Sequence, residues 1–296
     1  MSGYRSGFVS IVGCPNAGKS TLLNRLVGQK IAIVSDRAQT TRNKVTGVLT
    51  REAYQIVFLD TPGMTRPQNR LGEYMQKVAT DALSEVEAVL FVADALQGVR
   101  ERDEAIVERL SRVKAPVFAL VNKCDAASAT AVEQARRLLE GRGCFSEVLA
   151  VSARTGEGLE QLERRLSDCL PEGPQYFPED MVTDQPERVI CGEMVREKAL
   201  ELLREEVPHG IGVAVERMEL REGGELMDVW ATIYCERESH KGIIIGKGGS
   251  MLKRIGAASR RDMEWLLGCR VNLQLWVKIK EDWRNRPAVL HELGYE

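Results

Sequence analysis

Residues 13–20, GCPNAGKS, bring together two glycines, a lysine and a hydroxyl at the spacing of a phosphate-binding loop. Gly13 and Gly18 let backbone N–H groups turn inward around a phosphate, and the helix that opens at Ser20 and Thr21 adds the partial positive charge of its N-terminus. Lys19 is spaced to bridge β- and γ-phosphates, and Ser20 to offer a hydroxyl oxygen to Mg2+. The candidate nucleotide contacts here are Gly13, Asn16, Ala17, Gly18, Lys19, Ser20 and Thr21. This loop alone does not select a nucleotide, because adenylate-type kinases use it too.

NKCD at 122–125 makes the selection. Asp125 offers two acceptors to the N1–H and 2-amino donors of guanine, where adenine has an acceptor and a hydrogen. The Lys123 stem is long enough to lie along a base, and Asn122 to tie this loop to the phosphate loop. DTPG at 60–63 ends an apolar run; Asp60 can hold Mg2+ through water, and the Gly63 N–H can sense a γ-phosphate. After the last strand-like run, VSA at 151–153 supplies Ser152 and Ala153, whose N–H can reach guanine O6. SDRAQTTRNK at 35–44 is polar and aperiodic, a loop long enough to close over the phosphates through a threonine on Mg2+. Thr41 is the candidate ligand and Thr40 the alternative. Lys19, Thr41, Asp60 and Gly63 are the candidate catalytic set.

These segments need a scaffold that gathers them. From Phe8 to Leu170, six β-rich runs (FVSIVG, VTGVLT, YQIVFLD, AVLFVAD, PVFALVN, VLAVSA) alternate mostly with amphipathic stretches, which predicts an α/β domain with a mostly parallel six-stranded sheet. Only three residues join VTGVLT to YQIVFLD, so that pair is an antiparallel hairpin. PEGPQYFPED at 171–180 cannot continue a helix and reads as a linker. The expected organisation is residues 1–170 as a nucleotide-binding domain, 171–181 as linker and 182–296 as a second domain. The second domain reads as α-β-β-α-α-β: a helix over 186–206, a hairpin about Gly223-Gly224, KGIIIGKGG leading into a helix, and a last strand over 271–280.

Charge hides the second site. The chain of 296 residues carries a net −2, which by itself argues against a nucleic-acid partner. Residues 1–180 are neutral and 181–239 carry −7, but 240–286 hold 11 basic and 4 acidic groups, net +7. That window contains Gly246-Lys247-Gly248-Gly249 followed by Lys253 and Arg254. Glycines between two helices let a nucleic-acid backbone approach closely, the clamp of a KH module, although a GxxG by itself is commonly a plain turn. Trp276, on the polar face of the last strand, is expected to be covered by a neighbouring element, with base stacking as the other reading. No run of about 18 apolar residues exists, no secretory signal is read, and seven scattered cysteines without a CxxC pair suit a reducing cytosol.

In this order, GCPNAGKS, QTTR at 39–42, DTPG, NKCD and VSA resemble the signature segments of translation-factor-class GTPases over about the first 170 residues. In Ras-like relatives a glutamine after the DxxG glycine orients the attacking water; here Met64 stands there, and a thioether cannot do this, so slow intrinsic hydrolysis is expected. Similar GTPases with GxPNxGKS and a TTR segment use the asparagine to hold K+, which makes Asn16 a candidate K+ ligand, the alternative being a residue that only stabilises the turn. With the α-β-β-α-α-β order of a type II KH fold and the ending HELGY, the chain resembles the Era family of bacterial ribosome-assembly GTPases along essentially its whole length. The resemblance implies GTP and GDP as ligands, Mg2+ as cofactor and binding near the 3′ end of 16S-type ribosomal RNA in 30S assembly. It further implies a cytoplasmic monomer, with peripheral association at the inner face of the cell membrane in some members. A different class, a membrane or signalling GTPase whose KH-like module binds protein, is separated from this by salt-dependent binding of single-stranded RNA.

Overall fold

The computed structural model describes residues 3–35, 37, 40–64, 67–204 and 207–295, which divide into two compact units: the first takes 3–32, 40–64, 67 and 75–184, and the second takes 33–35, 37, 68–74, 185–204 and 207–295. Asp36, Ala38, Gln39, Thr65 and Arg66 of the expected switch segments lie outside the described residues, as do Glu205 and Glu206 at the end of the expected helix over 186–206.

The first unit runs β1 (Arg5–Gly13), α1 (Lys19–Val27), β2 (Val45–Thr50), β3 (Tyr54–Asp60), α2 (Arg70–Asp81, which belongs to this unit from Met75), β4 (Ala88–Asp94), α3 (Glu101–Leu110), β5 (Val117–Asn122), α4 (Ala129–Glu140), β6 (Glu147–Ala150) and α5 (Leu159–Cys169). Its six strands lie in the order β2-β3-β1-β4-β5-β6, parallel except for the antiparallel β2/β3 pair. Every residue of β4 and β5 is buried, as expected of parallel strands covered on both faces. Alternation distributes them: Leu90, Val92 and Leu120 enter the core under α1 and α5, while Val89, Phe91 and Val121 enter the opposite core under α3 and α4. A buried side chain such as Phe91 contributes about 2–3 kcal/mol relative to exposure.

This topology brings the C-terminal ends of β1, β3, β4 and β5 to one edge, so Gly13, Asp60, Asp94 and Asn122 are neighbours although 109 residues apart in sequence at the extremes. The proline-rich segment is extended and bound to this unit. Ser6 N–H donates to Pro171 O, Gly173 N–H to Tyr4 O, and Gln55 Oε1 accepts both the Tyr176 and Phe177 N–H groups. Its prolines prevent helix and keep the chain extended.

The second unit runs α6 (Glu187–Leu202), β7 (Gly212–Leu220), β8 (Leu226–Cys235), α7 (Glu238–Ile245), α8 (Ser250–Leu267), β9 (Arg270–Ile279) and α9 (Pro287–Glu292). In its sheet, β8 lies between an antiparallel β7 and a parallel β9, and one face packs against helices around Cys191, Val195, Ile233, Ile255 and Met263. The first helix ends earlier than its periodicity suggests. Leu203 is already extended, which sends Leu203 and Val207 into the core and leaves Arg204 exposed. Among the described residues, no helix is long and apolar enough to cross a membrane.

Candidate functional site

In the phosphate loop, backbone geometry comes first. Gly18 caps α1 at φ 99°, and a Cβ there would lie 2.2 Å from Asn122 Nδ2, so only glycine fits. α1 starts at Lys19 with no acidic residue in its first turn, leaving its positive end uncompensated. Lys19 is 6% exposed, and its ammonium donates to Gly13 O at 3.2 Å and Cys14 O at 3.0 Å. Burial lowers its pKa, and the Asp60 carboxylate opposes that. Asn16 adopts a left-handed φ of 65°, uncommon outside glycine but tolerated by asparagine.

Beside it, three oxygen-bearing side chains converge from distant segments. Ser20 Oγ donates to Asp60 Oδ2 at 2.7 Å and lies 2.8 Å from Thr41 Oγ1, which is itself 3.4 Å from Asp60 Oδ2. Thr41 is carried there because β2 begins opposite Asp60, in register Val45 to Asp60. Asp60 is fully buried, and its Oδ1 has no partner among the described residues. Burial raises its carboxyl to about 6, with Lys19, Ser20 and Thr41 each pulling the other way. Such a set of hard oxygen donors around a desolvated carboxylate, one oxygen unspent, fits Mg2+.

Gly63 packs on the phosphate loop: a Cβ there would sit 2.8 Å from Pro15 N. Met64 N–H donates to Gly13 O at 3.4 Å, and its side chain, 8% exposed, lies in the core with Val12, Cys14 and Phe91. The residue at the glutamine position therefore contributes packing.

Asn122 joins three segments. Its Nδ2 donates to Ala17 O at 2.8 Å, and its Oδ1 accepts the Ala153 N–H at 2.9 Å. Ala153 N–H, expected to face guanine O6, is thus engaged by Asn122, whose amide is 2% exposed and needs an internal donor. Ser152 Oγ donates to Asp125 Oδ1 at 2.7 Å, fixing the exposed carboxylate that faces solvent at this edge. Lys123, at φ 68°, donates from Nζ to Asp94 Oδ2 at 2.8 Å. The sequence reading did not single out Asp94; the available signal is that AVLFVAD and PVFALVN end on polar residues at matching positions, and the structure pairs them, Asp94 with Asn122.

In the second unit, GKGG links α7 to α8. Gly246, Gly248 and Gly249 all have positive φ (73°, 60° and 79°), and a Cβ on Gly246 would meet Met251 N at 2.8 Å. Lys247 is exposed at the tip. An open groove of about 420 Å³ runs from Gly249 between α8 and β9, lined by Lys253, Gly256 and Arg260 on the helix and by Asn272, Leu273 and Leu275 on the strand. Arg254 is exposed on α8 but lies outside the lining. Arg260, one of the basic residues of the helix after the GxxG, and Gly256 continue the Lys253 face by two helical turns and one. Trp276, expected to be covered, is 42% exposed; it alternates along β9 with Leu275 and Val277, which pack against the core.

Comparison with known proteins bears on both sites. Residues 8–123 match a family described as 50S ribosome-binding GTPase, and residues 206–284 match the KH domain. The chain is 51% identical over 293 residues to GTPase Era of Alkaliphilus metalliredigens and 50% identical over 293 residues to that of Clostridioides difficile, in each case covering 99% of both chains. It is similar to the crystal structure of an Aquifex aeolicus Era variant bound to GDP·AlF4−, with 41% identity, a TM-score of 0.93 and 98% and 99% of the two chains covered. It is likewise similar to a crystal structure of Era in complex with MgGDPNP and nucleotides 1506–1542 of 16S ribosomal RNA, with 40% identity, a TM-score of 0.93 and 99% of both chains covered.

Proposed function

Because the chain belongs to the GTPase Era family, we propose that it is a GTP-hydrolysing switch that binds 16S-type ribosomal RNA near its 3′ end and assists 30S subunit assembly. The observation that carries this is the presence in one chain of a guanine-nucleotide site and a glycine-lysine clamp opening on a groove. The relative captured with MgGDPNP and 16S RNA supports the pairing of the two ligands.

In this reading Asp125, held by Ser152, accepts from the guanine edge, and Asn122 holds the base loop and the phosphate loop in one register. Lys19 and the N–H groups from Gly13 to Thr21 bind phosphates, with Lys19 exchanging loop carbonyls for phosphate oxygens. Ser20, Thr41 and Asp60 would hold Mg2+, Asp60 through water; bound with the nucleotide, the ion neutralises charge that builds on the transferred phosphate. Met64 is committed to the core, so orientation of the attacking water falls to backbone groups around Gly63 and the rate without a partner is slow. Gly246, Lys247, Gly248 and Gly249 clamp the RNA backbone, Lys253 lines the path, and Arg254 adds exposed charge outside it.

The proposal includes K+ at Asn16, where a cation next to the phosphates supplies the positive charge that an arginine finger brings in other GTPases. Turnover in KCl severalfold above turnover in NaCl is expected, and equal rates would sink this part. A cytoplasmic monomer, with peripheral contact at the inner face of the membrane, completes the reading. The deciding experiment is binding of a 3′-terminal 16S RNA fragment to the full chain in GTP and in GDP. Tighter binding in one state, lost on Lys247→Ala with Gly248→Asp, is expected. Affinity identical in both states, or unaffected by the substitutions, overturns it.

A further inference from the structure

We propose that Asp94 is a positioning residue for the guanine nucleotide, acting through Lys123; the inference rests on the GTPase reading above. Asp94 closes β4 and is paired in register with Asn122, the last residue of β5. Its backbone is fixed: Ala95 N–H donates to Asn122 O at 2.9 Å, and Gln97 N–H to Asp94 O at 3.2 Å. Its side chain is 9% exposed, and one carboxylate oxygen is spent on the Leu96 N–H at 2.9 Å. The other oxygen is left to a single described partner, the Lys123 ammonium at 2.8 Å.

Lys123 is held from its other end as well. At φ 68° its backbone is in the left-handed region, which a lysine adopts only when the surroundings impose it. Its carbonyl accepts the N–H groups of Ala126 and Ala127, both at 3.1 Å, so the turn is closed behind it. The direction in which the side chain leaves the chain is thereby set by the turn, and the point where it ends is set by Asp94. Between those two anchors runs a four-carbon stem, one residue from Asn122 and two from Asp125.

A free lysine stem has many rotamers and would lose them when a base settles on it. With both ends fixed, that ordering is complete before the nucleotide arrives, which is the physical content of preorganisation. The pair sits at the rim, Lys123 being 30% exposed, so solvent screens it in part and its contribution lies in geometry more than in raw attraction. A base contact cannot sense the γ-phosphate. Asp94 therefore acts equally on GTP and GDP, and on KM without kcat.

The test uses the full chain with Asp94→Asn, which keeps an oxygen for the Leu96 N–H, together with Lys123→Ala and the double variant. Asp94→Asn is expected to weaken GDP and a non-hydrolysable GTP analogue by the same factor, about tenfold, the scale of one charge-assisted bond. KM rises with kcat unchanged, and Asp94→Asn adds nothing in the Lys123→Ala background, because its whole effect passes through that side chain. Lys123→Met, which keeps a stem but no ammonium, examines the same tie from the other side and should weaken both nucleotides as Asp94→Asn does. An Asp94→Asn loss that persists in full without Lys123, a fall in kcat at constant KM, or unchanged affinities overturns the proposal. If the unaltered chain shows no preference for GTP over ATP, the GTPase reading itself fails and takes the proposal with it.

Discussion

Cys14 sits within the phosphate loop, yet the structure disarms it. Its side chain is 3% exposed, and burial first, then a hydrogen bond to Asp103, pushes the thiol up to about 12, with Arg102 and Lys19 only partly opposing. Cys191 is raised to about 12 as well, chiefly by burial and then by Glu187. Since the thiolate is the reactive form, the folded chain at pH 8 should leave both unlabelled by iodoacetamide, with a thiolate fraction about a thousandfold below that of the unfolded chain. Peptide mapping of labelled native and urea-unfolded protein measures this; modification of Cys14 at equal rates in the two states contradicts the assignment. Raising the pH from 7 to 9 should not relieve the protection, because that window lies well below the raised value. At this scale the sequence disclosed residue types whose chemistry is nearly unique at their spacing: Lys19, Ser20, Asp60, Asn122 and Asp125 all stand at the common edge. It did not disclose assignments that depend on competition among neighbours. Ala153 N–H goes to Asn122 because a buried amide oxygen claims it, and Asp94 meets Lys123 because strand register aligns β4 with β5. A linear spacing contains neither fact.

Elements were easier to see than their ends. The alternation of β-rich runs and helices, and the three-residue hairpin connection, follow from burial on two faces and chain geometry, so they could be read directly. The early end of α6 could not, since it is decided by Leu203 and Val207 entering a core that the periodicity does not display. The proline-rich segment shows the same limit: lack of helix was legible, but its binding along Ser6 and Gln55 needs the folded sheet. In α8, Gly256 is a helix-interior glycine, which costs roughly 0.5–1 kcal/mol relative to alanine. The groove gives it a reason, for it forms part of the wall that Leu275 faces, and a Cβ there would lie at an acceptable 3.4 Å from Leu275 Cδ1. We expect Gly256→Ala to stabilise the chain by about 0.5–1 kcal/mol in urea unfolding, by helix propensity. Gly256→Leu should retain that folding but obstruct the groove, weakening RNA binding at least tenfold while GTP turnover in the absence of RNA is unchanged. RNA affinity insensitive to the leucine would remove the groove from the RNA path.

On the scale of the whole molecule, a net charge of −2 and a sequence pI near 6.1 coexist with a window of +7 at 240–286. At physiological ionic strength the Debye length is about 8 Å, so a phosphate in the groove responds to the charges beside it more than to the net charge of the chain. Lys247 at the tip and Lys253 and Arg260 along the wall are the cations nearest that path. If each neutralises one phosphate, the logarithm of RNA affinity should fall against the logarithm of salt concentration with a slope of about −2, three contacts at roughly −0.7 each for a single strand. Lys247→Ala should flatten the slope by about 0.7 as well as weaken binding, whereas the same change at Lys114, an exposed charge within the neutral stretch 1–180, should do neither. Fluorescence anisotropy of a labelled 3′-terminal 16S fragment between 50 and 200 mM salt, concentrations at which such a dependence is readily seen, reads both quantities. A slope near zero in the unaltered chain would mean that the basic window is a solvated surface, and the RNA reading would have to rest on contacts other than phosphate. A steep slope that survives Lys247→Ala unchanged would keep the RNA partner but move the electrostatic contact away from the GKGG turn.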